Sequence, residues 1–288
     1  MSQATRQTMP WLIIAAGSLI AVMTFGPRSA MGFFQLPMLA DTGWDRSTFG
    51  LAMALQNLFW GLGQPFFGAI ADKYGTGRVL VLSGFLYAAG LICMSFGTSP
   101  FWLHFGGGVL VGLGIAAGSF SVILSAFARH VTPQQRSLAF GIGTAAGSAG
   151  MFLFAPISQG LISNYGWSDS LVWLAVMMML VPLLAFPMRG NSSSGSQSQT
   201  QFQQTAGEAL FIALAHKSYL LSTAGSYGSR FQAASLPAPF PAHLGHLRIE
   251  PPHALTALLP SGLFHILLSF PAVVLPQPHP QPSSLALL

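Results

Sequence analysis

Six long apolar blocks, separated by short polar gaps, occupy the first two thirds of the chain. They run Trp11–Phe34, Phe49–Ala71, Val79–Phe96, Phe101–Phe127, Ser137–Ile162 and Leu171–Met188. A helix needs roughly 20 mostly apolar residues to cross the hydrocarbon core of a bilayer, and each block approaches or exceeds that length. Hydrocarbon offers no partner to an unpaired peptide group, whereas a helix satisfies its own. The pattern therefore predicts an all-α membrane protein with residues 1–190 as one six-helix domain. No small-x-small cleavage site ends the first block, so it reads as a crossing and not as a removed leader.

The pattern stops after Met188. Asn191–Gln204 is a Ser/Gln/Gly run without periodicity, and residues 191–207 read as a flexible linker. Glu208–Leu221 is mixed and reads as a short interfacial helix leading into a seventh crossing, with residues 208–225 as the start of that possible helix. From 226 to 288 the chain is an atypical Pro/His-rich tail: 11 of the 20 prolines and 5 of the 8 histidines lie from Pro237 onward. Pro276, Pro278, Pro280 and Pro282 alternate with other residues, which no helix accommodates. Ala254–Leu275 is apolar over a spanning length but is interrupted by Pro260 and Pro271, so both a broken crossing and a non-spanning segment stay open. The Pro/Ala/Leu/Ser/His mixture is also what an out-of-frame reading of a GC-rich gene produces. One hypothesis is a frameshift near codon 226, and an intact frame on resequencing the locus would end it.

Composition narrows the solvent and the partners. Charged residues make up 6% of the chain, against about 25% in soluble domains. Apolar residues make up 52% and the mean hydropathy is +0.58, so the bilayer is the expected partner. The net charge of +5 comes from cations scattered singly between apolar blocks, which is no footprint for nucleic acid. A single cysteine, Cys93, excludes a disulfide framework and a cysteine metal site, and neither metal nor cofactor is expected. A membrane-embedded enzyme would need His, Asp, Glu or Cys clustered at one depth, and the six blocks offer none.

The placement of the cations predicts orientation. With the N-terminus in the cytoplasm, Arg6, Lys73, Arg78, Arg129, Arg136, Arg189 and Lys217 fall inside, and Arg46 falls outside with Asp41, Asp45 and Asp169. The expected location is a bacterial inner membrane, crossed several times.

The loop between the second and third blocks reads Gly68-Ala-Ile-Ala-Asp72-Lys73-Tyr-Gly75-Thr-Gly77-Arg78. Gly68 would let helices approach closely, Asp72 would face a helix N-terminus, and Lys73 and Arg78 would hold the loop in the cytoplasm. This stretch resembles the G-x-x-x-D-[RK]-x-G motif of the major facilitator superfamily. Gly26-Pro27-Arg28-Ser29 with Gly32-Phe33-Phe34, and then Thr42-Gly43-Trp44-Asp45-Arg46, resemble bacterial monocarboxylate and oxalate/formate transporters. So do Arg136-Ser-Leu-Ala-Phe-Gly141, Ala146-Gly147-Ser148-Ala-Gly150 and the turn Tyr165-Gly166-Trp167. The approach to the first helix lacks the acidic, Gly- and Trp-rich segment of animal monocarboxylate carriers. The resemblance covers about Trp11–Met188 and weakly Glu208–Ala224. It implies the N-terminal half of a twelve-helix carrier, built from 3+3 inverted repeats, with a substrate path between two halves. The charged residues that the family places on its eighth and eleventh helices are not recognisable here, so the chain reads as truncated or frameshifted. Alternating access needs two halves, so either self-association supplies the second or the chain is a non-transporting remnant or interaction protein.

Within that frame the candidate substrate-binding residues are Thr24, Arg28, Gln35 and Asn57. An arginine inside a spanning helix costs about 2.5–3.5 kcal/mol on insertion scales, so it needs a partner or a purpose. Thr24, Arg28 and Gln35 are spaced by four and seven and share a helix face that suits a small organic anion. The competing reading places Arg28 near the helix end, snorkelling to the headgroups. Gln56, Asn57 and Gln64 form a second polar patch, suited first to hydrogen bonding between helices. His104 is expected to be interfacial and solvated. Gly68, Asp72, Lys73, Gly75 and Arg78 form a candidate conformational motif. Gly143, Gly147, Gly150 and Pro156 are candidates for close helix packing and for sliding or bending of the fifth helix. The six blocks hold no Asp or Glu, so proton coupling would fall to His104, the substrate or the missing half, while anion exchange would need no carboxylate.

Overall fold

The computed structural model describes residues 10–97 and 99–188. Among these residues there are helices and short connections and no strand. The linker, the segment 208–225 and the tail with Ala254–Leu275 lie outside the described residues.

The first three passes are α1 (Trp11–Thr42), α2 (Arg46–Tyr74) and α3 (Thr76–Ser95). The fourth is compound: α4 (Pro100–Trp102), a π-helical stretch Leu103–Leu110, α5 (Val111–Ala117) and α6 (Phe120–His130). A short turn, Pro133–Gln135, leads to α7 (Arg136–Met178), then α8 (Leu180–Leu184) and a last turn, Phe186–Met188.

Four stretches are long and apolar enough to cross a membrane: Trp11–Thr42, Thr76–Ser95, Pro100–His130 and Arg136–Met188. Two physical facts reconcile these four with six passes. The helix α2 carries Gln56, Asn57 and Gln64 along its length, and these amides lower its hydropathy. The stretch Arg136–Met188 has 53 residues, about twice what one crossing takes. It is broken at Gly166, where φ is 78° and ψ 173°. Glycine reaches this conformation without a Cβ clash, and the chain reverses there.

The contacts define the reversal. On the first limb of α7, Gly150 packs on Val22 and Phe154 on Gly26, both in α1. Beyond Gly166 the Trp167 indole donates to Asp41 at the far end of α1, and the Ser168 hydroxyl donates to the Ser95 carbonyl at 2.8 Å. Pro182 then lies against Gly84 in α3, and Met188 against Gly17 near the start of α1. Among the described residues the chain therefore makes six passes along the bundle.

Several connections are shorter than the apolar blocks predict. The first helix ends at Thr42 and not at Phe34: it continues through Pro37, and Gly43 closes it in the left-handed conformation, donating to the Leu39 carbonyl at 3.0 Å. Only Gly75 (φ 94°) separates α2 from α3. Membrane packing is achieved through small residues, since lipid tails give helices no hydrophobic reason to associate. A Cβ on Gly150 would stand 2.6 Å from the Val22 carbonyl oxygen, and one on Gly112 would stand 2.7 Å from that of Gln56. Gly143 and Gly147 similarly seat the Phe127 and Phe120 rings. Gly160 has no neighbour within 4 Å among the described residues, and Pro156 is exposed.

The buried side chains form two clusters. One, with Phe34, Met38, Phe49, Leu91 and Trp167, fills the end of the bundle where Asp41 lies. The other, with Ile14, Val79, Ile123, Phe127 and Met188, fills the end where Asp72 lies. Met23, Trp60 and Phe120 pack against both, which marks the middle of the bundle.

Candidate functional site

Extension of α1 to Thr42 moves Arg28 from the helix end to its middle, so the snorkelling reading does not apply. Its Nη2 donates to Asn57 Oδ1 of α2 at 2.7 Å. The guanidinium carbon lies 4.4 Å from the centre of the Trp60 ring, a cation–π contact. Asn57 and Trp60 are three residues apart and so share a face of α2. Asn57 Nδ2 in turn donates to the Met53 carbonyl one turn back, at 2.8 Å. Arg28 Nε is buried and makes no hydrogen bond among the described residues, although the side chain as a whole is only half-buried.

An aromatic ladder carries Trp60 into the bundle. Its ring meets Phe25 edge-on at 6.4 Å, and Phe25 stacks on Phe120 at 4.2 Å. Phe120 opens α6, directly after the break in the fourth pass at Gly118–Ser119. Tyr87 is fully buried beside Arg28. The cation thus sits on an aromatic wall at mid-bundle, with one amide on its edge.

Of the four residues predicted to share a site, Arg28 and Asn57 meet directly. Thr24 is buried one turn below, where it packs on Gly118: a Cβ there would stand 2.8 Å from Thr24 Oγ1 and 2.6 Å from Ser83 Oγ. Gln35 is buried about 10 Å further along α1, two helical turns from the cation. Trp60, Phe25 and Phe120 are the members that sequence reasoning missed. A tryptophan in an apolar run looks like any lipid-facing or core aromatic, and only the fold places it under a cation.

The other polar expectations resolve individually. Gln56 Nε2 donates to the Gly107 carbonyl at 2.9 Å, the expected bond between helices, and reaches the π-helical stretch. His104 is half-buried, and its Nε2 lies 3.0 Å from the Thr48 carbonyl oxygen. Ser125 and Thr144 bond to carbonyls of their own helices.

At the opposite end of α2, Asp72 pairs with Arg129 of α6 at 3.0 Å and does not serve a helix N-terminus. Arg129 also donates to the Ala71 carbonyl at 3.3 Å, so one side chain ties the α6 and α2 ends together. Lys73 lies over the Tyr74 ring at 5.2 Å, and Arg78 is exposed. Gly75 makes the turn. Gly68 faces open space, with no neighbour within 4 Å, so close helix approach is not its role among the described residues.

Fold and composition together define a multi-pass, all-α membrane protein. The sequence profile of the Major Facilitator Superfamily matches residues 14–278, and the chain belongs to that superfamily. Among its relatives is monocarboxylate transporter 13 of Rattus norvegicus, 28% identical over 176 residues, which are 59% of this chain and 39% of the relative. Monocarboxylate transporter 11 of Homo sapiens is 27% identical over 234 residues, covering 77% of this chain and 47% of the relative. The uncharacterised MFS-type transporter YcxA of Bacillus subtilis (strain 168) is 26% identical over 187 residues, 64% of this chain and 46% of the relative. The chain spans less than half the length of these relatives.

Proposed function

We propose that this chain is the N-terminal half of a secondary carrier for small organic anions, monocarboxylates foremost, working by alternating access. One observation carries the reading: Arg28 stands at mid-bundle with its Nε buried and unbonded among the described residues. A guanidinium in low dielectric with unspent donors attracts an anion, and its planar fork matches a carboxylate. The monocarboxylate transporters among the relatives support the same class. The end bearing Lys73, Arg78, Arg129 and Arg136 would face the cytoplasm of a bacterial inner membrane, by the excess of cations there. The Asp72–Arg129 pair joining two helix ends would act as a latch of one access state. Residues 1–190 would form the six-helix domain, followed by the linker 191–207.

Alternating access needs two halves rocking about a shared site, so a second half must be supplied by further sequence or by self-association. A second reading is a non-transporting remnant or a membrane-embedded interaction protein. Uptake of labelled lactate, pyruvate, formate and oxalate into proteoliposomes separates the two. Saturable uptake of any of them, lost in Arg28→Ala, supports the carrier; no saturable uptake supports the remnant.

A further inference from the structure

We infer that Asn57 is a positioning residue, which holds the Arg28 guanidinium in place for the anion without touching the anion itself. The inference rests on Arg28 being the anion's charged contact. The orientation of the Asn57 amide is dictated from two sides. Its Nδ2 donates to the Met53 carbonyl at 2.8 Å, and its Oδ1 accepts from Arg28 Nη2 at 2.7 Å. Turning the amide over would set oxygen against oxygen at Met53 and donor against donor at Arg28. The orientation of the amide is therefore fixed within the protein, with one Nδ2 hydrogen left over.

A carboxylate is an acceptor, so it seeks donors. The Asn57 oxygen can offer none, and one of the two Nδ2 hydrogens is already used. Arg28 keeps its Nε–H, which is buried and unbonded among the described residues. The division of labour follows from the contacts: Asn57 takes one edge of the guanidinium, Trp60 takes its face at 4.4 Å, and the remaining donors stay with Arg28. An edge contact and a face contact together fix both the place and the plane of a group that otherwise swings on a long flexible stem. Affinity gained this way is preorganisation: the ordering is done before the anion arrives.

The test is a double-mutant cycle on the purified full chain. It uses half-saturation for labelled lactate, pyruvate, formate and oxalate in proteoliposomes, with monodispersity in detergent as the folding control. Removing a hydrogen bond to a charged group is expected to raise half-saturation about tenfold in Asn57→Ala. In the Arg28→Lys background, where weaker transport leaves half-saturation measurable, the same change is expected to add little, because a residue that acts by orienting the planar guanidinium has little left to orient once that plane is gone. Asn57→Ser, which retains an acceptor, should recover part of the loss. An additive loss in the double variant would make Asn57 a direct contact and overturn the inference. Wild-type affinity in Asn57→Ala would overturn it as well. Unchanged uptake in Arg28→Ala, or no saturable uptake by the wild type, would instead remove the carrier reading on which the inference stands.

Discussion

The guanidinium of Arg28 rests on the indole of Trp60, 4.4 Å from the ring centre, across the boundary between the first and second passes. The contact joins a residue that invites attention in any membrane helix to one that does not. A desolvated cation–π pair contributes on the order of 2 kcal/mol, several times what an exposed pair does. Replacing Trp60 by leucine should therefore weaken anion affinity by about five- to thirtyfold, read as half-saturation of uptake, and Trp60→Phe should fall between the two. Equal affinity in all three proteins would separate the aromatic wall from the site.

A close approach of backbones, such as that of α1 and α7 at Gly150, tolerates no side chain. Gly150→Ala sets a methyl 2.6 Å from the Val22 carbonyl oxygen and should lower stability in detergent by about 1–3 kcal/mol. Gly160→Ala on the same helix has open space around it and should be neutral or slightly stabilising. Thermal unfolding of the two variants side by side checks the contrast.

Reversal of the chain at Gly166 depends on φ of 78°, which an L-residue with a Cβ adopts only under strain. Gly166→Ala should cost about 1–3 kcal/mol, with the loss centred on the adjoining Trp167–Asp41 hydrogen bond. Tryptophan fluorescence during unfolding should report the loss: loosening of Trp167 is expected to precede the main transition in the variant and to coincide with it in the wild type.

The Asp72–Arg129 pair is partly solvated, its side chains 67% and 30% exposed, so its contribution to stability is small, about 0–1 kcal/mol. Asp72→Asn should melt close to the wild type. If the pair latches an access state, the same variant should change the rate of uptake, and the charge-swapped double variant Asp72→Arg/Arg129→Asp should restore it. A large fall in melting temperature with unaltered uptake would make the pair a structural fastener only.

Much of the bundle was legible because the bilayer imposes a simple rule on composition. The six apolar blocks became six passes, even where α2 is too rich in amides to qualify on hydropathy and where a single glycine separates the fifth pass from the sixth. Block ends were read too short because charged and polar residues such as Asp41, Asp72 and Lys73 look like loop residues, yet they occupy the last turns of helices. Among the described residues Gly143, Gly147 and Gly150 lie against neighbouring helices. Gly68 faces open space there, and spacing states which face a glycine shares and nothing about what lies opposite. The site was half legible for the same reason. Periodicity places Thr24, Arg28 and Gln35 on one face of one helix, whereas the partners of Arg28 come from α2, 29 residues from Arg28 at Asn57. Contacts across helices have no local signature, so Asn57 was found as an amide and Trp60 was missed.

The central claim is that Arg28 receives a carboxylate at mid-bundle, and counterflow across a sealed proteoliposome tests it most directly. Vesicles loaded with unlabelled lactate, pyruvate, formate or oxalate are diluted into a trace of the same labelled anion, for wild type, Arg28→Lys and Arg28→Ala. The prediction is transient accumulation of label by the wild type for at least one anion, weaker accumulation by Arg28→Lys, which keeps the charge but loses the planar fork, and none by Arg28→Ala. Accumulation by Arg28→Ala equal to that of the wild type would contradict the account.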